Sequence, residues 1–338
     1  MSADEAPGKP PHTAGEFELI ARHFAPLAKD MPGTYGLLDD AAAISPPPGC
    51  DLVLTKDAMV AGVHFLPDDD PADVAAKLLR VNLSDLAAKG ARPYGYLLAT
   101  SWPHGTSEAT VARFASGLAA DQARYGIGLL GGDTTATPGP LTLSLTAIGL
   151  VPAGGMVRRG GARPGDVVAV TGTIGDAALG LRVRQGTLGG LAEGHAEALR
   201  TAYLRPEPPV AFGPALVGRA HAGLDISDGL VADLGHMAEA SGVRIAVRVN
   251  HVPLSDAVRA ALSCGASELT EVLTGGDDYQ IAFSASQSDF KRLEADSARF
   301  GVRVAAIGEV AGAGAPAVEV LDESGQAMNF LRKGYTHV

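Results

Sequence analysis

A turn-rich segment near the middle of the chain, residues 152–165 with the sequence PAGGMVRRGGARPG, most constrains how the polypeptide can fold. Glycine and proline at this density interrupt helices and strands, which predicts a domain boundary there. The length of 338 residues supports two domains, because one ordinary hydrophobic core rarely organises so long a chain. We therefore predict a disordered tail at residues 1–14, an N-terminal domain at 15–151 and a C-terminal domain at 152–338.

Apolar periodicity predicts both helices and strands in each half, without strict alternation, which is typical of α+β layers. Val74, Leu78, Val81 and Asp85 fall on one face of a helix predicted to begin at Asp70–Pro71 and to run to Lys89. A strand is predicted at residues 52–55 and a loop at 185–194. Asp85 thus lies in line with a buried apolar stripe, where a carboxylate needs a partner.

Composition excludes several functional classes. The net charge of −11 argues against a nucleic-acid partner, because such proteins need a basic surface. Cys50 and Cys264 form no CxxC pair, which favours a reducing compartment and hence the cytoplasm. No apolar run is long enough to cross a bilayer, and residues 1–13 lack the pattern of a signal peptide, so no membrane association is expected.

The common nucleotide-binding motifs fail in this sequence. No GxxxxGK[ST] motif is present. Gly126, Gly128 and Gly131 form GxGxxG, but a helix is predicted before this motif and a strand through it, the reverse of what a dinucleotide site needs. The hypothesis of an NAD-dependent oxidoreductase would rest on that motif alone.

A recurring pattern is a short apolar segment that leads into an aspartate. Singly, such aspartates usually cap helices or form turns, and Asp228 is expected to be a helix N-cap. If several converge, two carboxylates about 4 Å apart repel by roughly 4 kcal/mol at an effective dielectric of 20, and Mg²⁺ with its oxygen ligands relieves this. The aspartates concerned are Asp40, Asp57, Asp85, Asp133, Asp225 and Asp228.

Seven segments in order along the chain resemble the thiamine-monophosphate kinase family of the aminoimidazole-ribonucleotide-synthetase-like superfamily. The resemblance implies an N-terminal α+β domain that dimerises by packing sheets, a C-terminal α/β domain, and Mg²⁺-dependent transfer of the ATP γ-phosphoryl group to thiamine monophosphate in a homodimer. The segments are GEFELI (15–20), VAGVHF (60–65), VNLSDLAA (81–88), GGDTT (131–135), GTIGD (172–176), DISDGL (225–230) and LTGGDDY (273–279).

The resemblance also assigns roles to individual residues. Asp57, Asp133 and Arg159 are implied to be catalytic. Metal ligands are implied at Asp40, Thr55, Lys56, Asp57, Asp85, Asp133, Asp225 and Asp228. ATP contacts are implied at Gly132, Asp133, Arg159 and Ser227, and acceptor contacts at His64, Asp277 and Arg332.

Three positions depart from the family pattern: Lys56 replaces a small hydroxyl residue, Asp277 a glutamate and Arg332 a tryptophan. Two alternatives therefore remain open. One is a related superfamily enzyme that uses ATP with another phosphorylated substrate, and the other is a non-catalytic protein that binds nucleotide or thiamine phosphate.

Overall fold

The structure, a computed structural model, describes residues 15–335 of the chain. The predicted tail at 1–14 lies outside the described residues. The helices are α1 (Glu16–Leu19), α2 (Ala25–Ala28), α3 (Pro71–Ala88), α4 (Glu108–Tyr125), α5 (Asp176–Arg184), α6 (Glu193–Leu204), α7 (Leu230–Ser241), α8 (Asp256–Ser263), α9 (Leu269–Thr274) and α10 (Gln287–Ser297). The strands are β1 (Cys50–Val60), β2 (Arg92–Pro103), β3 (Gly128–Thr137), β4 (Thr142–Pro152), β5 (Val167–Thr171), β6 (Ala220–Ile226), β7 (Val243–Arg248), β8 (Gln280–Ala285), β9 (Val304–Ala313) and β10 (Ala317–Leu321).

Among the described residues, the first half forms a four-stranded sheet in the order β1-β4-β2-β3. Strand β4 pairs antiparallel with β1 and β2, whereas β2 and β3 run parallel. Strands β1 and β3 are therefore the two edges of the sheet. Helix α3 packs on β1 and β4, and α4 packs beside α3, so helices cover one face.

The opposite face of this sheet is open. Alternate side chains of a strand point to opposite faces, so the residues next to the buried ones face outward here. Leu54 on β1 is 61% exposed and Leu97 on β2 is 43% exposed on this open face. Apolar side chains of this size on a sheet face indicate a surface that another molecule can cover.

Helix α3 is well specified by its sequence and connects the two halves. The Asp70 side chain accepts a hydrogen bond from Ala72 N at 2.8 Å, Pro71 occupies the first turn, and Gly90 follows the helix with φ of +75°. Besides β1 and β4, α3 contacts β6 and β8 of the second half. Its carboxyl-terminal half is therefore held from both sides, in agreement with the predicted helix.

The second half forms a six-stranded sheet, within the described residues, in the order β10-β7-β9-β5-β8-β6. Only the β10–β7 pair is parallel among these pairs. Helix α7 packs against β6, β7 and β10, while α5 and α6 pack together. The mixed helix and sheet content predicted for the chain is confirmed.

Two local predictions were wrong. The loop predicted at 185–194 ends at residue 192, because α6 begins at Glu193. Helices α6, α8 and α9 were not predicted. The strand predicted at 52–55 is eleven residues long, because its outward side chains alternate with buried ones as far as Val60.

Candidate active site

A cleft of about 830 Å³ lies between the two halves. Its walls come from β1, α3, the turn after β6 and the segment before β8. The cleft brings together ten of the residues singled out in the sequence: Lys56, Asp57, His64, Asp85, Arg159, Asp225, Ser227, Asp228, Asp277 and Arg332.

Three carboxylates dominate the floor of this cleft. The Thr55 hydroxyl donates a hydrogen bond to Asp85, which fixes that carboxylate between β1 and α3. Burial, and next the charge of Asp85, raise the pKa of Asp57 to about 6. Burial, followed by the charges of Asp85 and Asp233, raises the pKa of Asp225 well above its usual range. Burial and mutual repulsion thus both disfavour the charged forms of these carboxylates.

Lys89, the C-cap residue of α3, supplies positive charge that partly balances Asp225 and Asp85. Its Nζ donates to the carbonyl oxygen of Gly223 at 2.9 Å. Burial lowers the pKa of Lys89, while Asp225 and Asp85 oppose that effect. One half-buried ammonium cannot neutralise three carboxylates, so the cluster is suited to added cations.

Two loops of the second half pack closely to form one wall. Asp277 N donates to Ser227 O at 2.9 Å, and Tyr279 N donates to Ile226 O at 2.8 Å. Gly276 permits this approach, because a Cβ there would lie 2.3 Å from Ser227 O. Two backbone hydrogen bonds therefore hold this wall together, and their close approach explains the glycine at position 276.

The prediction that Asp228 is an N-cap was wrong. Asp233, inside the first turn of α7, accepts hydrogen bonds from the backbone N of Ser227, Asp228 and Gly229 at 3.0, 3.0 and 3.1 Å. Asp233 therefore satisfies the amides of the turn that leads into the helix, whose N-cap is Gly229. The Asp228 side chain instead contributes to the cleft.

The three implied acceptor contacts occupy the same cleft. His64 Nδ1 accepts a hydrogen bond from Val60 N at 3.0 Å, which places the proton of a neutral ring on Nε2. Asp277 is partly buried, and the exposed Arg332 enters from the carboxyl-terminal segment.

Asp40, Gly132 and Asp133 lie elsewhere in this chain, in a smaller cavity of about 180 Å³. The sheet register explains the separation. Asp133 pairs with Ala99, Ala99 with Ser144, and Ser144 with Ala58, so Asp133 is three strand spacings, or about 14 Å, from β1. The expectation that all the acidic loops converge is therefore met only in part within one chain.

The side chains of Asp57 and Asp133 also face opposite sides of the sheet. Paired residues share a face, so Asp133 lies on the face of Ser144 and Ala58, one residue out of phase with Asp57. Lys56 is on that open face as well, and its Nζ donates to Ser144 Oγ at 2.6 Å. The Lys56 ammonium therefore points away from Asp85.

Strand packing requires a glycine at position 132, independently of the implied contact with ATP. A Cβ at Gly132 would lie 1.8 Å from Leu98 O on the neighbouring strand. Strand β3 consequently continues through Gly-Gly-Asp, which confirms that GxGxxG is not a dinucleotide-binding turn here.

Sequence reasoning missed the cleft residues Lys77 and Tyr203, and it missed Lys89, whose ammonium interacts with Asp225 and Asp85. Lys77 is only 3% exposed and forms an ion pair with Asp277. A cation four residues before Val81 of the apolar stripe was the available signal, because a buried lysine needs an anionic partner.

The donor set of the cleft fits hard divalent cations. The groups that interact with Asp85 include the Thr55 hydroxyl and the carboxylates of Asp57 and Asp225, all of which offer oxygen ligands. Mg²⁺ prefers such oxygens and usually retains places for water and substrate phosphate.

Comparison with known proteins assigns the fold and site to a family. Two family models match, the N-terminal domain of AIR synthase related proteins over residues 38–151 and the C-terminal domain over 163–321. A thiamine-monophosphate kinase of Caulobacter vibrioides is 46% identical over 307 residues, covering 90% of this chain and 86% of that protein. This chain belongs to the thiamine-monophosphate kinase family.

Solved structures of the family agree with this fold. The thiamine-monophosphate kinase of Stenotrophomonas maltophilia has a TM-score of 0.78 at 40% identity and covers 86% of this chain and 91% of its own. The structure named AaThiL complexed with AMPPCP and TMP has a TM-score of 0.76 at 30% identity, with coverage of 96% and 97%. Across residues 15–335, no helix is long and apolar enough to cross a membrane.

Proposed function

We propose that the chain catalyses ATP-dependent phosphorylation of thiamine monophosphate to thiamine diphosphate, with Mg²⁺ as the required metal. The observation that carries this proposal is the cleft, in which Asp57, Asp85 and Asp225 converge opposite the Asp277 wall. The family relationship supports it, since relatives are named thiamine-monophosphate kinases and AaThiL is described as complexed with AMPPCP and TMP.

The reaction is an in-line transfer between two anions. A phosphate oxygen of thiamine monophosphate attacks the γ-phosphorus of ATP, the bond from that phosphorus to the β,γ-bridging oxygen breaks, and ADP leaves. The nucleophile is already anionic near neutral pH, so the protein needs no general base. Its task is to position two phosphorylated molecules that repel each other.

Each part of the cleft has a proposed share in that task. Asp57, Asp85, Asp225 and Asp228, with Thr55 and the backbone of Lys56, hold Mg²⁺. The metal, when bound, neutralises the phosphate oxygens of both substrates. Arg159 and Ser227 contact the ATP phosphates, and a guanidinium suits this because it binds phosphate oxygens in pairs.

The acceptor is proposed to bind at the other end of the cleft. His64, with its Nε2–H donor, and Asp277 contact thiamine monophosphate there, and Arg332 borders the opening. A guanidinium at Arg332 favours the phosphate of the acceptor over its cationic thiazolium ring.

A coupled assay of ADP release tests the function. Wild-type protein with ATP, Mg²⁺ and thiamine monophosphate should release ADP and form thiamine diphosphate in equal amounts. Asp57→Asn should abolish turnover with the fold retained, as checked by circular dichroism. Thiamine monophosphate that binds but never turns over would identify a non-catalytic binding protein, and ADP release with another phosphorylated acceptor would identify a related superfamily enzyme.

We further propose that the protein works as a homodimer that completes the site. Asp40, Gly132 and Asp133 lie by edge strand β3, whereas Asp57 lies on the other edge strand, β1. Packing the open faces of two sheets covers Leu54 and Leu97 and brings β3 of one copy near β1 of the other. In that arrangement Asp40 and Asp133 are the metal ligands, and Gly132 and Asp133 the ATP contacts, that one protomer supplies to its partner.

Mixing two inactive variants tests this shared site. Asp57→Asn and Asp133→Asn, unfolded and refolded together, give dimers of which half are mixed, and each mixed dimer holds one intact site. About a quarter of wild-type activity should therefore return. A mixture of Asp57→Asn with Asp85→Asn is the matched control and should stay inactive, because every cleft then carries a change. No recovery in the first mixture would contradict the shared site.

The remaining proposals concern the domain boundaries and the cellular location of the protein. The family models match residues 38–151 and 163–321, which supports domains at 15–151 and 152–338 with the boundary in the glycine-rich turn. Cys50 and Cys264 are both free thiols, which supports a cytoplasmic enzyme.

A further inference from the structure

Lys77 of α3 is a buried cation at the acceptor end of the cleft. Only 3% of the residue is exposed, although an ammonium in a protein interior is costly unless it is paired. Helix α3 packs between the two halves, so Lys77 can reach segments from both.

Three groups surround the Lys77 ammonium. Nζ lies 2.7 Å from Asp277 Oδ2 and 3.2 Å from the carbonyl oxygen of His64. It also lies 3.8 Å from the centre of the Tyr203 ring, within the range of a cation–π contact. One cation thus joins the loop that follows β1 to the loop that precedes β8, and its partner Asp277 lies two hundred residues after Lys77 in the sequence.

The Asp277 loop needs such a restraint. Asp277 has φ of +71° and Tyr279 has φ of +49°, a left-handed conformation that non-glycine residues seldom adopt. Each such residue costs on the order of 1 kcal/mol and persists only where its surroundings hold it. The Tyr279 hydroxyl donates to Asp277 Oδ1 at 3.1 Å, so both carboxylate oxygens have protein partners.

We propose that Lys77 is a positioning residue for the phosphoryl acceptor. It fixes the direction of the Asp277 carboxylate and the position of the His64 backbone, and it makes the Asp277 pair electrically neutral. The acceptor then meets an oriented hydrogen-bond acceptor and not a mobile negative charge. This role rests on the proposed function, because His64 and Asp277 are the acceptor contacts only in that reaction.

Steady-state kinetics of three variants test this role. Lys77→Met keeps the length of the side chain without the charge, and we expect the KM for thiamine monophosphate to rise at least about tenfold. The KM for ATP should stay within about twofold, because the metal cluster does not contact Lys77. Lys77→Arg, which keeps the charge, should fall between the wild type and Lys77→Met. Lys291→Met, an exposed lysine of α10, is the matched control.

A double-mutant cycle separates the ion pair from general damage. Asp277→Asn should raise the acceptor KM strongly in the wild type, but by less than about threefold in the Lys77→Met background. Thermal unfolding of each variant checks that it is folded. If Lys77→Met does not fold, Lys77→Arg and Tyr203→Leu carry the test, and both should raise the acceptor KM alone.

The outcomes distinguish this role from the proposed function. Equal increases in both KM values, a fall in kcat alone, or additive effects of the two substitutions would overturn the role of Lys77 and leave the kinase intact. A wild-type protein inactive with thiamine monophosphate would overturn the proposed function, and the role of Lys77 with it.

Discussion

Asp57→Asn should stabilise the metal-free protein while it abolishes activity. Burial and the charge of Asp85 raise the pKa of Asp57 from 3.8 to about 6 in the folded chain. A factor of ten corresponds to about 1.4 kcal/mol, so charged Asp57 costs the fold about 3 kcal/mol above pH 6. Asparagine removes that cost, and the free energy of unfolding of the variant should exceed that of the wild type by up to about 3 kcal/mol at pH 8.

The sign of the pH dependence follows from the raised pKa. Between about pH 4 and pH 6 the folded protein holds a proton that the unfolded chain has lost, so stability from this group falls as pH rises. Above pH 6 the contribution is constant. The difference between Asp57→Asn and the wild type should therefore vanish near pH 4 and reach its full size by about pH 7.

Urea unfolding in EDTA measures this difference. Trp102 is the single tryptophan, is 5% exposed and packs edge-to-face on Phe114 at 5.4 Å, so its fluorescence reports on the half that contains Asp57. Asp30→Asn, with an 87% exposed side chain, is the control and should change nothing. Saturating Mg²⁺ should stabilise the wild type by about 2.7 kcal/mol at a hundred times its Kd and the variant by less. A metal-free variant that is no more stable than the wild type at pH 8 would refute the reasoning.

Two further substitutions test the framework around the cleft. Arg80→Met leaves the buried carboxylate of Asp121, 2.7 Å from the guanidinium, without its partner, and should cost about 3–5 kcal/mol in urea unfolding. Arg113→Met removes an exposed pair and should cost less than about 1 kcal/mol; equal losses would contradict this account of burial. Gly132→Ala places a Cβ 1.8 Å from a backbone oxygen of β2 and should lower stability by about 2 kcal/mol or more. Gly131→Ala meets its nearest atom at 3.5 Å and should be tolerated, so similar Tm values for the two would count against the strand geometry.

Much of the fold followed from local patterns in the sequence. Helix α3 was predictable because Asp70 and Pro71 begin it and its apolar spacing is regular. Helices α8 and α9 were missed because eight and six residues give a weak periodic signal. The cap of α7 was misassigned because the helix begins after Gly229, one residue later than an Asp228 cap requires, and Asp233 bonds the backbone amides of the preceding turn.

The sequence predicted most residues of the candidate site, but it did not predict where they lie relative to one another. Local sequence indicates that a short strand leads into Asp57 and another into Asp133, but it does not give the strand order that puts them at opposite edges. The ion pair between Lys77 and Asp277 joins residues two hundred positions apart, and no local pattern specifies such a pair. The family resemblance implied the roles of these residues, and the sheet register shows how far Asp133 lies from Asp57 within one chain.

Transfer of a labelled phosphoryl group tests the central claim most directly. Wild-type protein should be incubated with Mg²⁺, thiamine monophosphate and ATP labelled at the γ-phosphorus, and the products separated by chromatography. The label should appear in the terminal phosphate of thiamine diphosphate, in an amount equal to the ADP formed. Label in inorganic phosphate, with thiamine monophosphate unchanged, would contradict phosphoryl transfer in this cleft.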